Sequence, residues 1–301
     1  MSSHNWKSQK LPGLARRLVD SCRDGRAANL VEGVDLPPRG EIHDLLDRLM
    51  AILRPGYDNG HAVELGALEY TIGRALVLAH DDLARHIARA FRYECRLHAC
   101  PTCPAVESAG DVAADFLEQL PRLRELLKED VAAAFERDPA APDFDTVLLG
   151  YPGVEAVATY RLARELALRA VPIIPRLWAG RAHGRTGIEI NPGAKIGPRF
   201  FIDHGTGVVI GETCEIGANV TLYQGVTLGA FSPVKGQALR GVKRHPTLED
   251  DVVVYAGSTI LGGETVIGRG AVIGGNVWLT HSVAPGARVF LEPHGVVVKE
   301  G

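Results

Sequence analysis

The stretch IEINPGAKIGPRFFIDHGTGVVIGETCEIGANVTLYQGVTLG (residues 188–229) carries an aliphatic residue every six positions. Aliphatic residues stand at 190, 196 and 202, then at 210, 216, 222 and 228. After an interruption they return at 248, 254 and 260, and again at 267, 273 and 279. Frame slips between these runs amount to one or two residues. Small or β-branched residues often follow four places later (Ala194, Thr206, Val220, Val226, Val252, Ser258, Ala271, Val277, Val283). Glycine often follows directly, as at Gly197, Gly211, Gly217, Gly229, Gly268 and Gly274. A period of six is neither that of an α-helix nor that of a sandwich strand. It suits a short strand plus a turn forming one side of a triangular coil. Three such units return the chain above itself, about 4.8 Å higher, where backbone pairs with backbone. The aliphatic residue then points inward and stacks on its equivalent in the next coil. Thirteen repeats between residues 190 and 279 argue against a glycine-rich sheet that is periodic by chance.

Outward from this block toward the N-terminus the pattern becomes helical. Apolar residues recur at helical spacing from His61 to about His98 (Leu65, Leu68, Ile72, Leu76, Leu83, Ile87, Phe91) and from Ser108 to Arg137 (Phe116, Leu120, Leu123, Leu127, Val131, Phe135). Pro121 is placed to split the second helix. A third helix is predicted from about Gly153 to Arg169, and Pro172 and Pro175 then break the pattern. Asp35 to Gly40 reads as a linker. The expected architecture is α+β: an α-helical domain over residues 1–180 and a coil of hexapeptide repeats over 181–301.

At 301 residues and a formal charge of −3, nothing global points to nucleic acid or an anionic membrane. No apolar run approaches the length needed to cross a bilayer, and Met1 to Lys10 has no signal-peptide core. The chain therefore reads as soluble and cytoplasmic. Five cysteines do not suggest a secreted disulfide framework.

Four segments within this frame resemble the serine acetyltransferases, a family of hexapeptide-repeat acyltransferases. They are Arg137-Asp138-Pro139-Ala140; Asp203-His204-Gly205-Thr206-Gly207 leading to Gly211-Glu212-Thr213; Val226-Thr227-Leu228-Gly229; and Arg244-His245-Pro246. The resemblance spans about residues 130–285. It implies a left-handed parallel β-helix that moves an acetyl group from acetyl-CoA to the hydroxyl of L-serine, giving O-acetylserine for cysteine biosynthesis. Other hexapeptide acetyltransferases, acting on sugar or antibiotic hydroxyls, share the repeat but have no need of the Asp138 segment or Arg244. A γ-type carbonic anhydrase would need a close pair of metal-binding histidines, whereas His183, His204, His245 and His281 are spread apart. A non-enzymatic scaffold gives no reason to place His and carboxylates one coil apart.

A serine hydroxyl is a poor nucleophile at neutral pH, and histidine is the natural base to deprotonate it as it attacks a thioester. His204 matches the family's catalytic His. A base works best when a carboxylate holds its second ring nitrogen. Glu189, close to one coil earlier, is expected to do so, where the family usually has Asp. Asp138 and Asp203 match the aspartates that hold the substrate amine, Arg244 supplies a guanidinium for its carboxylate, and His245 matches a second substrate-contacting His. Gly229, Ala230, Ala256 and Gly275 match positions lining the coenzyme A groove. Transfer is expected to be direct, with Cys214 in the core rather than acting as nucleophile and with no metal. Cys95, His98, Cys100 and Cys103 form a metal-like cluster with a single CxxC, read as reduced thiols. The resemblance also implies a homotrimer or a dimer of trimers, with sites between neighbouring subunits, and L-cysteine as feedback inhibitor. The chain ends at Lys299-Glu300-Gly301, without the family's Ile-terminated tail, so the cysteine synthase complex made through that tail is not expected. The loop from Phe231 to Lys243, with Lys235, Arg240 and Lys243, is longer than is usual in the family.

Overall fold

A computed structural model describes residues 3–23, 36–57, 64–97, 104–231, 236 and 238–292. The chain divides into two compact units, Met1–Leu36 and Pro37–Gly301. The first carries helices α1 (Ser3–Gln9) and α2 (Leu11–Ser21), and α2 buries none of its residues.

The second unit opens with α3 (Arg39–Leu53), followed by α4 (Leu68–Leu97), α5 (Pro104–Glu107), α6 (Ala109–Leu117), α7 (Leu120–Arg137), α8 (Phe144–Gly150), α9 (Pro152–Leu168) and α10 (Ile174–Thr186). Helix α3 begins inside the stretch read as linker. Pro38, in extended conformation, precedes its first residue, and Ile42, Leu45, Leu46 and Leu49 form its buried stripe. Pro121 separates α6 from α7 as expected, because a proline is tolerated only in the first turn of a helix. Pro175 plays the same part in α10, where the sequence reading saw only a break. Trp178 of α10 is fully buried and donates its indole N–H to the Ile42 carbonyl at 2.8 Å.

The coil follows without a gap. Its first turn comprises β1 (Glu189–Ile190), β2 (Lys195–Ile196) and β3 (Phe201–Ile202). The second comprises β4 (Val209–Ile210), β5 (Glu215–Ile216) and β6 (Thr221–Leu222). The third comprises β7 (Thr227–Gly229), β8 (Thr247–Leu248) and β9 (Val253–Val254). The fourth comprises β10 (Thr259–Leu261), β11 (Val266–Ile267) and β12 (Val272–Ile273), with β13 (Trp278–Leu279) and β14 (Arg288–Val289) beyond. Every third strand stacks in parallel, giving three sheets ordered β1-β4-β7-β10-β13, β2-β5-β8-β11 and β3-β6-β9-β12-β14. The register pairs the aliphatic residues in columns: Ile190 on Ile210, Leu228, Ile260 and Leu279 in the first sheet, with Ile202, Leu222, Val254 and Ile273 in the third. All thirteen predicted positions fall on such columns, and burying each such side chain contributes about 1.5–3 kcal/mol. The parallel β-helix expected from the period of six is the fold observed.

Helices and coil are joined at several places, among them Arg161 and Gly153 of α9. The buried Arg161 of α9 donates Nε to Asp130 Oδ2 at 2.6 Å and Nη2 to Asp130 Oδ1 at 2.8 Å, and another donation reaches the Gly197 carbonyl at 2.9 Å. Asp130 also accepts the Phe200 N–H at 2.9 Å. Each buried charge is thus paired and hydrogen-bonded, the condition under which such a pair is tolerated. At the start of α9, Gly153 lies so close to β3 that a Cβ there would stand 2.1 Å from the Ile202 carbonyl oxygen. This contact sets α9 on the strand end that leads into Asp203 and His204.

Candidate active site

The frame slip between residues 202 and 210 is where His204 stands. Six residues join β3 to β4, whereas four join β6 to β7 on the next coil. The longer corner turns through positive φ at His204 (57°), Gly205 (84°) and Gly207 (82°). Positive φ is uncommon for a residue with a Cβ and clusters at functional sites. Gly205 is required here for space as well: a Cβ would meet Ile188 Cδ1 at 2.4 Å. The corner is tied down by Gly207 N–H to the Gly187 carbonyl and Val208 N–H to the Gly205 carbonyl, both at 2.9 Å. The result is an imidazole 71% exposed on a fixed backbone, with Nδ1 3.7 Å from Asp203 Oδ1.

Asp138 follows the last residue of α7. Arg137 anchors that helix end by donating to Thr221 Oγ1 at 2.6 Å and to Asn219. Asp138 Oδ1 accepts the Ala140 N–H at 2.8 Å, and Oδ2 accepts the Tyr151 hydroxyl. The Tyr151 hydroxyl, then the Ala140 amide, and more weakly the charge of His204 hold the Asp138 carboxyl below the usual carboxylate range. The same bond to Asp138, with burial and the charges of Asp138 and Asp203, pushes the Tyr151 phenol up to about 12. Asp138, Tyr151, Asp203 and His204 therefore share one electrostatic neighbourhood.

Glu189 stands beside His183 in this structure. Its Oε2 lies 3.8 Å from His183 Nδ1, and no ion pair or hydrogen bond joins it to His204. The longer corner contributes to this placement: first-coil strands stack on partners 20 positions on, so Glu189 registers with Val209 rather than with the corner. The carboxylate observed in ion-pair range of His204 is Asp203.

Arg244 and His245 occupy a different corner, against the turn between β4 and β5. Thr213 Oγ1 accepts the backbone N–H groups of Arg244 at 2.9 Å and His245 at 3.0 Å. The Arg244 guanidinium pairs with Glu212. The His245 ring covers Gly211, where a Cβ would lie 1.9 Å from ring Cδ2. Its Nδ1 accepts the Thr213 N–H at 3.1 Å, which assigns the ring proton to Nε2. Burial first, then the charge of Arg244, pushes the His245 pKa down to about 4. Glu212 and Thr213 fall inside a sequence motif that assigns them no role, and Tyr151 falls in none of the motifs.

The small residues divide in the same way. Ala256 and Gly275 lie on the His204 edge of the coil, in contact through the Ala256 carbonyl, where a Cβ at Gly275 would approach to 3.3 Å. Gly229 ends β7 and Ala230 follows it on the Arg244 edge, where the Gly229 carbonyl accepts the Gly262 N–H at 3.1 Å. One chain thus assembles Asp138, Asp203 and His204 at one corner and Arg244 and His245 at another. Strand β4 lies between them, and the two groups share no hydrogen-bond or ion-pair partner among the described residues.

Two cavities among the helices, of about 510 and 370 Å³, contain none of these residues. Among the described residues no group of three His, Cys, Asp or Glu is gathered as for a metal, and no helix is long and apolar enough to cross a membrane. Cys214 is fully buried, and its thiol is pushed up to about 12 by that burial. Cys95 is disulfide-bonded, which corrects the reading of it as a reduced thiol. His98, Cys100, Cys103, Lys235 and the C-terminal Lys299-Glu300-Gly301 lie outside the described residues.

A family model described as serine acetyltransferase, N-terminal, matches residues 67–159. The chain is 44% identical over 258 residues to a plasmid serine acetyltransferase of Synechococcus elongatus, covering 84% of this chain and 81% of that one. It is 51% identical over 176 residues to the serine acetyltransferase of Bacillus licheniformis, covering 58% of this chain and 78% of that one. Among solved structures it is similar to serine acetyltransferase isoform 3 of Entamoeba histolytica in complex with cysteine, with TM-score 0.72 at 30% identity over 98% of this chain and 96% of that one. It is also similar to the Neisseria gonorrhoeae serine acetyltransferase in complex with serine, with TM-score 0.55 at 25% identity over 84% and 95%.

Proposed function

The chain belongs to the serine acetyltransferase family, and from that premise we propose that it transfers an acetyl group from acetyl-CoA to the hydroxyl of L-serine, with His204 as the base. The observation that carries this assignment of the base is the slipped corner: an exposed imidazole on a rigid backbone, beside two carboxylates suited to an ammonium group. Asp138 and Asp203 hold the substrate ammonium, and Asp203 steadies the imidazole. Glu189 lies beside His183. His204 takes the hydroxyl proton as the serine oxygen attacks the thioester carbonyl, and coenzyme A leaves as the thiol. Acetyl-CoA supplies the acyl group; Gly229, Ala230, Ala256 and Gly275 give its pantetheine arm room along the coil edges. No acyl-enzyme is formed, and the buried Cys214 takes no part.

Arg244 meets the substrate carboxylate, and His245 lies beside it. Because these two stand on another corner of the same coil, a complete site takes the His204 corner from one copy and the Arg244 corner from a neighbour. A homotrimer about the coil axes meets this need, and pairing of the helical regions would make a dimer of trimers. The division of labour follows: residues 1–180 provide assembly contacts and Asp138, and residues 181–301 provide the base and the acyl-donor groove. L-cysteine, with the same ammonium and carboxylate, competes for the serine position. The work is done in the cytoplasm and requires no metal.

Coenzyme A release from acetyl-CoA, measured with L-serine, other hydroxy amino acids and sugars, tests the reading. Release is expected with L-serine above all. Turnover with a sugar and none with L-serine would contradict it.

A further inference from the structure

We propose that Tyr151 is a positioning residue for the substrate ammonium, its hydroxyl fixing the Asp138 carboxylate at the His204 corner. The inference rests on the acceptor reading above and extends it to a residue that no motif marks. Three features of the chain place this phenol. Pro152 follows Tyr151 and confines it to extended backbone, observed at φ −90° and ψ 117°, so the ring leaves the start of α9 in a set direction. Gly153 comes next, and its lack of a side chain lets that turn rest on the Ile202 carbonyl, one residue before Asp203. Arg137 anchors the end of α7 to Thr221 and Asn219, one residue before Asp138. The turn that carries the phenol and the helix end that carries the carboxylate are therefore each fixed to the same coil.

The hydrogen bonds around Asp138 show what this accomplishes. Ala140 donates to one carboxylate oxygen and Tyr151 to the other. A carboxylate has about four acceptor positions. One on each oxygen is used to hold the group still, and one on each remains for the amine donors of a ligand. With its pKa pushed up to about 12, the phenol stays a donor throughout the working range. Without it, Asp138 Oδ2 loses its one described partner, and the carboxylate turns freely about its last torsion. An amine site gains affinity from such restraint.

The test uses the full chain. Tyr151→Phe is expected to raise the serine KM roughly tenfold, the lower end for loss of a hydrogen bond to a charged group. The acetyl-CoA KM and Tm should stay near wild type, and kcat should fall by less than the serine KM rises. In an Asp138→Asn background the same substitution should add less than about twofold, because coupled residues are not additive. An unchanged serine KM, or a full tenfold rise on top of Asp138→Asn, would overturn the proposal. A fluorinated tyrosine at position 151 keeps the ring and lowers the phenol pKa, so it reads the same role without disturbing folding. Its serine KM should climb as pH rises through the phenol ionisation; a flat profile would also overturn the proposal. Serine-dependent coenzyme A release by the wild-type chain reads the acceptor assignment separately from the variant ratio.

Discussion

Two corners on one edge of the coil differ by two residues. The corner 223–226 is regular: Tyr223-Gln224-Gly225-Val226 turns once through positive φ at Gly225, and Gly225 donates its N–H to Thr206 below at 2.9 Å. The Tyr223 ring simply stacks on Tyr255 of the next coil, 5.0 Å between centroids. The corner 203–208 carries two more residues and lifts His204 away from the stack. Regular hexads bury their aliphatic residues and repeat; the chemistry stands where the repeat is broken. A coil of identical corners would present a ladder of equivalent side chains, with no place where an imidazole, two carboxylates and a helix end converge.

The strongest way to break this comparison is to make the corners alike. Deleting His204 and Gly205 restores the regular length, and we expect the coil to persist, with strand content by circular dichroism and Tm close to wild type. Serine-dependent turnover should fall at least ~10²-fold, the low end for loss of a general base. Retained turnover in a folded deletion variant would show that the irregular corner is not needed.

A second comparison sets two carboxylates against each other. Asp203→Asn should lower kcat/KM roughly tenfold, since the substrate ammonium loses one of its two carboxylates and a hydrogen bond to a charged group is worth about 1.5–3 kcal/mol. Glu189→Gln should change it by less than about fivefold, because an exposed pair such as His183–Glu189 is worth ~0–1 kcal/mol. The reverse order would return the orienting role to Glu189.

The smallest effect concerns the other corner. His245 stays neutral in the folded chain down to about pH 4, from an ordinary value of 6.5. Its contribution to stability is therefore present above pH 6.5 and is lost as pH falls from 6.5 toward 4. A plot of Tm against pH should flatten over that interval in His245→Gln. It should not become level, since burial also lowers the pKa of His43 and His86. An unchanged slope would mean that the ring is not buried as neutral imidazole.

The coil was legible because its signal is a side-chain period, and that period survives slips and insertions. Ile190, Ile210 and Leu228 stand in one column because each is three repeat units from the next, 20 and 18 positions apart in the chain. The family motifs pointed to Asp138, Asp203, His204, Arg244 and His245. Their partners were hidden, because each contact depends on coil length. Arg244 meets Glu212 across 32 positions, a span set by the inserted loop. Glu189 was placed by a standard coil of eighteen residues, and the first coil is longer. Tyr151 lies only 13 positions from Asp138, yet no periodicity links a helix end to the residue before the next helix but one. Helix α10 was missed because Pro172 and Pro175 read as a break, although a proline in the first turn starts a helix as readily as it ends one.

The most direct measurement of the central claim is pre-steady-state coenzyme A release from acetyl-CoA by wild type and His204→Ala, each with saturating L-serine. If the imidazole on the irregular corner removes the hydroxyl proton, the rate of the chemical step falls at least ~10²-fold in the variant while serine still binds. A variant that releases coenzyme A at close to the wild-type rate would contradict it.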